Sequence, residues 1–415
     1  MTILYFYQHF VLPEKNGITR TYEFARRLAS YGHQVHLIVS DESLSQIKHA
    51  PYETHREGIT IHWIPIPYHN KMPFFKRIIA FFKYVLGSFK VANKLAGDLI
   101  YVSTPPLTST LSAVILSKLK RIPVVLEVRD LWPELPIAFG ALRDPFSIFL
   151  ARRLEKIAYR NSHHVVALSP GIQRAVVCRG VKVKNTSLIP NSCDIEFFKE
   201  QSAPRMLLPK EIGETDPIVL YPGTIGVANG VDYIVKIAQA MLSLAPPIKF
   251  VILGDGKEKE GMINLAKLLG VLNHNLFFLE PIPKSEISSL YQRSSLILNT
   301  LVNKRPLWNS SPNKFFDALA VSKPVAINFK GWLAELIEEN EIGLVLDPND
   351  IQSSARQISQ ALSHPLWIEK AGRKAFQIGK LHFDRDTLAI KLNAIFESIA
   401  GADSSLQATF KKVSR

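Results

Sequence analysis

Only two cysteines, Cys178 and Cys193, occur in the 415 residues. That is too few for a disulfide framework or a tetrahedral metal site, and two thiols in a reducing cytosol account for them. No stretch approaches the ~20 consecutive apolar residues that a membrane-crossing helix needs. A basic-then-apolar leader is also missing, and Ile3–Tyr7 reads instead as a first strand. Internal repeats and low-complexity blocks are absent. After Gly254 and Gly256, the third glycine of a dinucleotide fingerprint would fall on Lys259, so a dinucleotide is disfavoured and no cofactor is expected. Asp384-Arg385-Asp386 resembles a metal-binding acidic pair, but it precedes the last helix, where capping explains Asp384 better; no metal is expected. A secreted disulfide scaffold, an integral membrane protein and a dinucleotide enzyme are thereby set aside.

What is present fits a globular protein with a large core: 47% hydrophobic and 21% charged residues, over a length that favours two or three domains. The net charge of +14 is unevenly spread. Residues 1–200 hold 26 basic and 15 acidic side chains, the remainder 24 and 21. A basic half beside a near-neutral half suggests that the first half meets something anionic.

The first half alternates β-branched runs with helical patterns: strands at Ile3–Tyr7, Gln34–Val39, Asp98–Val102, Pro123–Val128 and His164–Leu168. A polar, proline-broken stretch at 201–216 reads as a hinge. Strands then restart at Pro217–Tyr221, Lys249–Leu253, Leu276–Leu279, Ser295–Asn299, Pro324–Asn328 and Gly343–Leu346. The expected organisation is an α/β fold with two Rossmann-like domains, 1–200 and 217–385, facing a central cleft. A helix over 386–402 packs back on the first domain, and a polar tail over 403–415 follows. In such sheets ligands bind beyond the carboxyl ends of the strands.

Four segments place chemistry at those ends. The loop Gln8 to Gly17 precedes a helix starting near Thr19, and its glycine allows a phosphate to approach, although a plain βα turn fits as well. Glu127-Val128-Arg129-Asp130 closes a strand with alternating charges suited to gripping hydroxyls, although a surface ion pair fits about as well. Gly223, Thr224 and Gly226 follow the first strand of the second half, and Gly254 follows the next. The sharpest cluster is Asn309-Ser310-Ser311-Pro312-Asn313-Lys314-Phe315-Phe316-Asp317. Pro312 suits a helix's first turn, Lys314 at that amino end can meet a phosphate, and Asp317 one turn deeper can accept both ribose hydroxyls.

Together "GHQVHLIVS", "EVRDLWPE", "ALSPGI", "IPNSCD", "YPGTIG", "LGDG" and "SPNKFFDALAVSKPV" resemble the retaining, nucleotide-sugar-dependent glycosyltransferases of family 4, which have the GT-B fold, over nearly the whole chain. "EVRDLWPE" and "NSSPNKFFD" are most similar to the branch with bacterial WbuB-like N-acetyl-L-fucosaminyl transferases of O-antigen and capsule assembly. The resemblance implies metal-independent retaining transfer from a UDP-sugar to a polyprenyl-diphosphate-linked saccharide. The base would lie near Ile282, the ribose on Asp317 and the diphosphate at Lys314 with the Gly17 and Gly223 amides; His9, Glu127 and Asp130 would line the acceptor side. Two departures stand out. The family's two glutamates seven residues apart are here Asn309 and Asp317, and its basic pair would fall on Thr224 and Asn229. A non-catalytic nucleotide-sugar sensor or scaffold, or an epimerase on the same fold, is therefore an alternative.

Residues 71–94 hold six Lys or Arg and no acid. On a helix, Lys76, Ala80, Lys83, Gly87, Lys90 and Lys94 share one face, with Ile78, Ile79, Phe81, Phe82, Val85, Leu86 and Phe89 on the opposite arc. That pattern suits peripheral attachment to the anionic cytoplasmic face of a membrane, as a lipid-linked acceptor requires. A helix packed on a sheet with solvated lysines is the plainer alternative. No nucleic-acid motif appears, and none is expected as partner.

Overall fold

A computed structural model describes residues 1–14, 19–42, 50–69, 72–200, 208–244 and 247–413. The Gly17 expectation and residues 201–207 of the expected hinge lie outside the described residues. The chain divides into two compact units, one comprising residues 1–12, 17–190 and 386–415, the other 13–16 and 191–385.

In the first unit the strands are β1 (Thr2–Phe6), β2 (Gln34–Asp41), β3 (Tyr52–Arg56), β4 (Ile59–Pro65), β5 (Leu99–Ser103), β6 (Val124–Val128), β7 (His164–Ala167) and β8 (Thr186–Leu188). They form one sheet in the order β3-β4-β2-β1-β5-β6-β7-β8. Every pairing is parallel except that of β3 with β4. That hairpin is an addition to the elements read from the sequence. Its turn, Glu57-Gly58, has positive φ at both residues, the geometry that lets a two-residue loop follow the strands' twist. The helices are α1 (Arg20–Ser30), α2 (Phe74–Ala92), α3 (Ser109–Lys120), α4 (Glu134–Ala138), α5 (Pro145–Arg160) and α6 (Pro170–Cys178). Alternate strand residues feed opposite cores. Leu4, Phe6, Val102 and Leu126 meet α2, α3 and α5 through Ala80, Tyr84, Leu116 and Tyr159. Ile3, Tyr5, Tyr101 and Val125 meet Tyr22, Phe24 and Leu28 of α1.

The second unit opens with α7 (Ile195–Glu200). Its sheet has β9 (Ile218–Pro222), β10 (Lys249–Leu253), β11 (Leu276–Leu279), β12 (Leu296–Asn299), β13 (Val325–Ile327) and β14 (Gly343–Val345), all parallel in the order β11-β10-β9-β12-β13-β14. Around it lie α8 (Val231–Ala240), α9 (Lys259–Leu268), α10 (Lys284–Arg293), α11 (Asn313–Ala320), α12 (Trp332–Asn340), α13 (Ile351–Leu362) and α14 (Pro365–His382). Both sheets reverse strand order beside their first strand, β1/β5 and β9/β12, and the crevice at such a switch point is where α/β sheets take ligands.

The division falls at Pro190/Asn191 rather than near residue 200. The Asn191 side-chain amide donates to the Ser311 carbonyl, the Cys193 amide donates to Phe383 O at 2.7 Å, and Asp194 pairs with Arg385 at 3.1 Å. Those bonds tie residues 191–200 into the second unit. The last helix, α15 (Arg385–Val413), runs eleven residues past the expected end at 402, through most of the stretch expected as a tail. Leu388, Ala389, Leu392 and Phe396 enter the α1-side core of the first unit. Asp386 meets Arg27 there at 2.5 Å.

α2 corrects the two-arc reading of 71–94. Ala80 of the supposed basic face is buried, and Gly87 faces Ile64 so closely that a Cβ would stand 2.8 Å from its Cγ2. The apolar arc also splits. Val85 packs inward with Phe81 and Phe89, whereas Phe75 (72% exposed), Ile79, Phe82 and Leu86 (64%) point outward beside exposed Lys76, Lys83 and Lys90. No helix among the described residues is long and apolar enough to cross a membrane.

Candidate functional site

In the second unit, two glycine turns at the carboxyl ends of β9 and β10 lock together. Gly223 N donates to Leu253 O at 2.8 Å, and Ile225 N to Asp255 O at 2.9 Å. A Cβ on Gly254 would stand 2.0 Å from Gly223 O, and one on Gly256 would stand 2.2 Å from Ile225 O. Backbone contact between neighbouring turns thus accounts for Gly254. Thr224 is exposed, and its carbonyl accepts the Tyr221 hydroxyl at 2.8 Å.

Against these turns sits the start of α11. Pro312 is its N-cap, one position ahead of the expected first turn, with φ −69° and ψ 131°. Extended backbone there is what proline tolerates. Lys314 is partly buried, with its ammonium 3.6 Å from the centroid of the Tyr221 ring. A Cβ on Gly223 would come within 2.7 Å of Nζ, so glycine leaves the space the ammonium fills. No carboxylate among the described residues pairs with it, and burial brings its pKa down to about 7. A cation held by an aromatic face, without a counter-charge, is matched to an incoming anion.

Asp317, one turn further along α11, is partly buried, and its charge raises the pKa of Cys193 and Tyr291, both already raised by burial. Asn309 ends a short 3₁₀ turn, Arg305–Asn309. Asn309, Asn313 and Ile282 are all partly exposed. Two contributors go beyond the sequence reading. Tyr221, which "YPG" placed only next to the glycine, is the platform under Lys314. Asn299, at the carboxyl end of β12 and 1% exposed, has an amide with no partner on either atom among the described residues.

In the first unit, Glu127 does not line an open surface, and this corrects the acceptor-side expectation. It is fully buried. Its Oε1 accepts from Arg20 at 3.1 Å (Nε) and 2.9 Å (Nη2) and from the Tyr101 hydroxyl at 2.7 Å; its Oε2 accepts from Ser103 at 2.5 Å. Burial alone would raise its pKa, but Arg20, then Arg129, then the Ser103 and Tyr101 hydroxyls hold it below the usual glutamate value. Arg20 also donates to Pro190 O at 2.6 Å and Ile189 O at 2.9 Å, so the cluster fastens the last segment of chain before the second unit. That is a structural post, legible only once β5, β6 and α1 are assembled.

His9, after β1, pairs through Nδ1 with Glu42 at 2.6 Å, its ring 4.7 Å from that of Tyr68. Asp130, after β6, is partly buried; burial raises its pKa, and Arg129 opposes the rise. It has no hydrogen-bond partner among the described residues. His9 and Asp130 thus stand at carboxyl ends of one sheet, separated by β5. Among the described residues no group of three or more His, Cys, Asp or Glu could hold a metal.

Two predominantly parallel α/β sheets, each with a switch point beside its first strand, are the GT-B glycosyltransferase architecture. Residues 17–192 match the glycosyl transferase 4-like domain, residues 208–377 match the glycosyl transferases group 1 family, and the chain belongs to these glycosyltransferases. It is 24% identical over 373 residues to the putative colanic acid biosynthesis glycosyl transferase WcaI of Escherichia coli K12, covering 85% of this chain and 90% of that one. Among solved structures, sucrose-phosphate synthase of Thermosynechococcus elongatus superposes with a TM-score of 0.77 at 17% identity, over 97% of this chain and 99% of that one. Anabaena HepE, in complex with UDP and glucose, does so with a TM-score of 0.69 at 19% identity, over 96% and 100%. These likenesses show the shared fold.

Proposed function

We propose that the chain is a retaining, metal-independent glycosyltransferase. It moves a sugar, N-acetyl-L-fucosamine being the candidate from the WbuB-like motifs, from a UDP donor to a polyprenyl-diphosphate-linked saccharide in O-antigen or capsule assembly. The observation that carries the reading is the unpaired Lys314 ammonium, set on Tyr221 beside the Gly223 turn at the start of α11. Asp317 stands one turn away to take the ribose hydroxyls. HepE bound to UDP and the colanic acid relative support the donor and the polysaccharide context. Breaking the sugar–phosphate bond builds charge on the leaving diphosphate, and a fixed cation aimed there stabilises the transition state. The leaving phosphate oxygen then takes the acceptor's proton, so no separate base is required.

The test is calorimetric titration of the full chain with UDP, GDP and ADP without added metal. UDP is expected to bind selectively, and Asp317→Asn to weaken it about tenfold, as expected for losing a charged hydrogen-bond acceptor. No nucleotide binding at all would put the sensor or scaffold reading, to which Asn309 lends weight, ahead of catalysis.

Attachment to an anionic membrane is part of the proposal. On the same face of the sheet as α2 and its outward Phe75, Ile79, Phe82 and Leu86, with α3 packed against both helices, α5 exposes Phe146 (69%), Phe149 and Leu150 next to exposed Arg152, Arg153 and Lys156. Exposed apolar side chains flanked by cations on helices of one face fit lipid acyl chains below anionic headgroups. Sedimentation with vesicles containing anionic lipid is expected to deplete the protein from solution, with ~1 kcal/mol lost per lysine removed. Phe82→Ser combined with Leu86→Ser should lower binding even at low salt. Equal binding to neutral vesicles would exclude the electrostatic part.

A further inference from the structure

Arg129 is the first residue past β6 and only 6% exposed, yet its Nη1 has no hydrogen-bond partner among the described residues. No carboxylate lies within ion-pairing distance of it among the described residues. Glu127, two residues back on the same side of the strand, is already taken by Arg20, Tyr101 and Ser103. Asp130, the next residue, interacts with Arg129 electrostatically but forms no ion pair with it among the described residues. Arg20 takes the direct bonds of Glu127, so Arg129 meets Glu127 and Asp130 only at longer range. Its guanidinium carbon is 5.2 Å from the centroid of the Tyr7 ring and it also meets the Tyr7 hydroxyl, contacts that offset part of the desolvation but leave Nη1 without an acceptor among the described residues. Beside Tyr7, Gln8 is completely buried and neither atom of its side-chain amide has a partner among the described residues. β1 and β6 flank β5, so these unsatisfied donors sit at carboxyl ends about 10 Å apart at ~4.8 Å per strand, next to the β1/β5 switch point.

A buried guanidinium with an unpartnered nitrogen is costly unless an acceptor completes it. We propose that Arg129, assisted by the Gln8 amide, is a phosphate-binding site of the first unit that holds a diphosphate of the substrates. This deepens the sugar-transfer reading and rests on it for the substrate class. Two sources share the chemistry, the prenyl-linked diphosphate of the acceptor and the nucleotide diphosphate of the donor.

The test compares the full-length protein with Arg129→Gln by calorimetric titration with inorganic pyrophosphate, farnesyl diphosphate and UDP, alongside thermal melting. Pyrophosphate affinity is expected to fall about tenfold or more, the scale of a lost charge-assisted bidentate contact. A parallel loss for farnesyl diphosphate with UDP unchanged assigns the site to the acceptor; a loss for UDP assigns it to the donor. Because Nη1 has no partner among the described residues, Arg129→Gln should leave the melting temperature within about 5 °C of the wild type's. Unchanged affinity for all three ligands overturns the site, even where UDP binds normally and the transferase reading stands. A melting temperature lower by more than about 5 °C also overturns it, since that would reveal a partner already satisfying Arg129 in the free protein. Arg129→Lys, which keeps the charge but not the fork, should restore part of the pyrophosphate affinity.

Discussion

Lys314→Met is expected to lower kcat/KM for sugar transfer by about 10²–10³-fold, the scale found for removing one preorganised electrostatic donor from an active site. The fold should survive. Methionine matches the length of the lysine stem, fills the same space beside Gly223 and keeps contact with the Tyr221 ring. The pH dependence gives the sign a second check. Burial brings the Lys314 pKa to about 7 in the free protein, and a bound diphosphate favours the charged form and raises it. Nucleotide affinity should therefore be greatest below pH 7 and decline as pH rises above it, with net proton uptake on binding near pH 7.5. For folding the direction reverses. The unfolded chain holds its lysine proton up to about 10.5, so between about pH 7 and that value the unfolded state binds more protons and stability rises with pH. Lys314→Met removes this dependence and should stabilise the free protein at neutral pH by about 1–3 kcal/mol, the range discounted for the lysine's partial exposure. Calorimetry in buffers of different ionisation enthalpy, with urea melts at pH 6, 7 and 9, measures both. A variant with flat pH dependence but full activity would detach Lys314 from the donor.

The second large effect concerns stability. Glu127→Gln should destabilise the protein by about 3–5 kcal/mol in urea unfolding, because it leaves the Arg20 guanidinium buried without its counter-charge. Arg20 would keep its bonds to the Pro190 and Ile189 carbonyls, so the loss is one of charge rather than of anchoring alone. Since the Glu127 pKa lies below its unfolded value, the stability it contributes is present above the ordinary glutamate range and is lost as pH falls through the folded value. The double variant Arg20→Met with Glu127→Gln should recover part of the loss, as apolar replacement of a buried pair commonly does. Were the single variant as stable as the wild type but inactive, Glu127 would belong to the acceptor side after all.

Much of this protein was legible in one dimension. Strands such as Lys249–Leu253 and Leu276–Leu279 stand in the sequence as short apolar runs between turn residues, and their alternation with helical segments implies parallel sheets, since parallel strands need a crossover. The start of α11 is legible for the same local reason: proline at the helix entrance, with a cation and an acid one turn apart, is a pattern carried by consecutive residues. What the tertiary structure decided was which charges remain available. Glu127, Arg129 and Asp130 are near-neighbours of similar promise in the sequence. Yet Glu127 is consumed by Arg20, Tyr101 and Ser103, which arrive from α1 and β5, while Arg129 is left without an acceptor for Nη1. The outward stripe on α2 was likewise settled by the sheet, which takes Ala80, Tyr84 and Val85 and leaves Phe75, Phe82 and Leu86 outside. Periodicity shows that a helix has an apolar arc, but only the neighbour it packs against fixes which part of that arc is covered. A sequence thus determines which groups can be charged or apolar; whether each is paired, buried or free depends on partners many residues away, brought together only by folding.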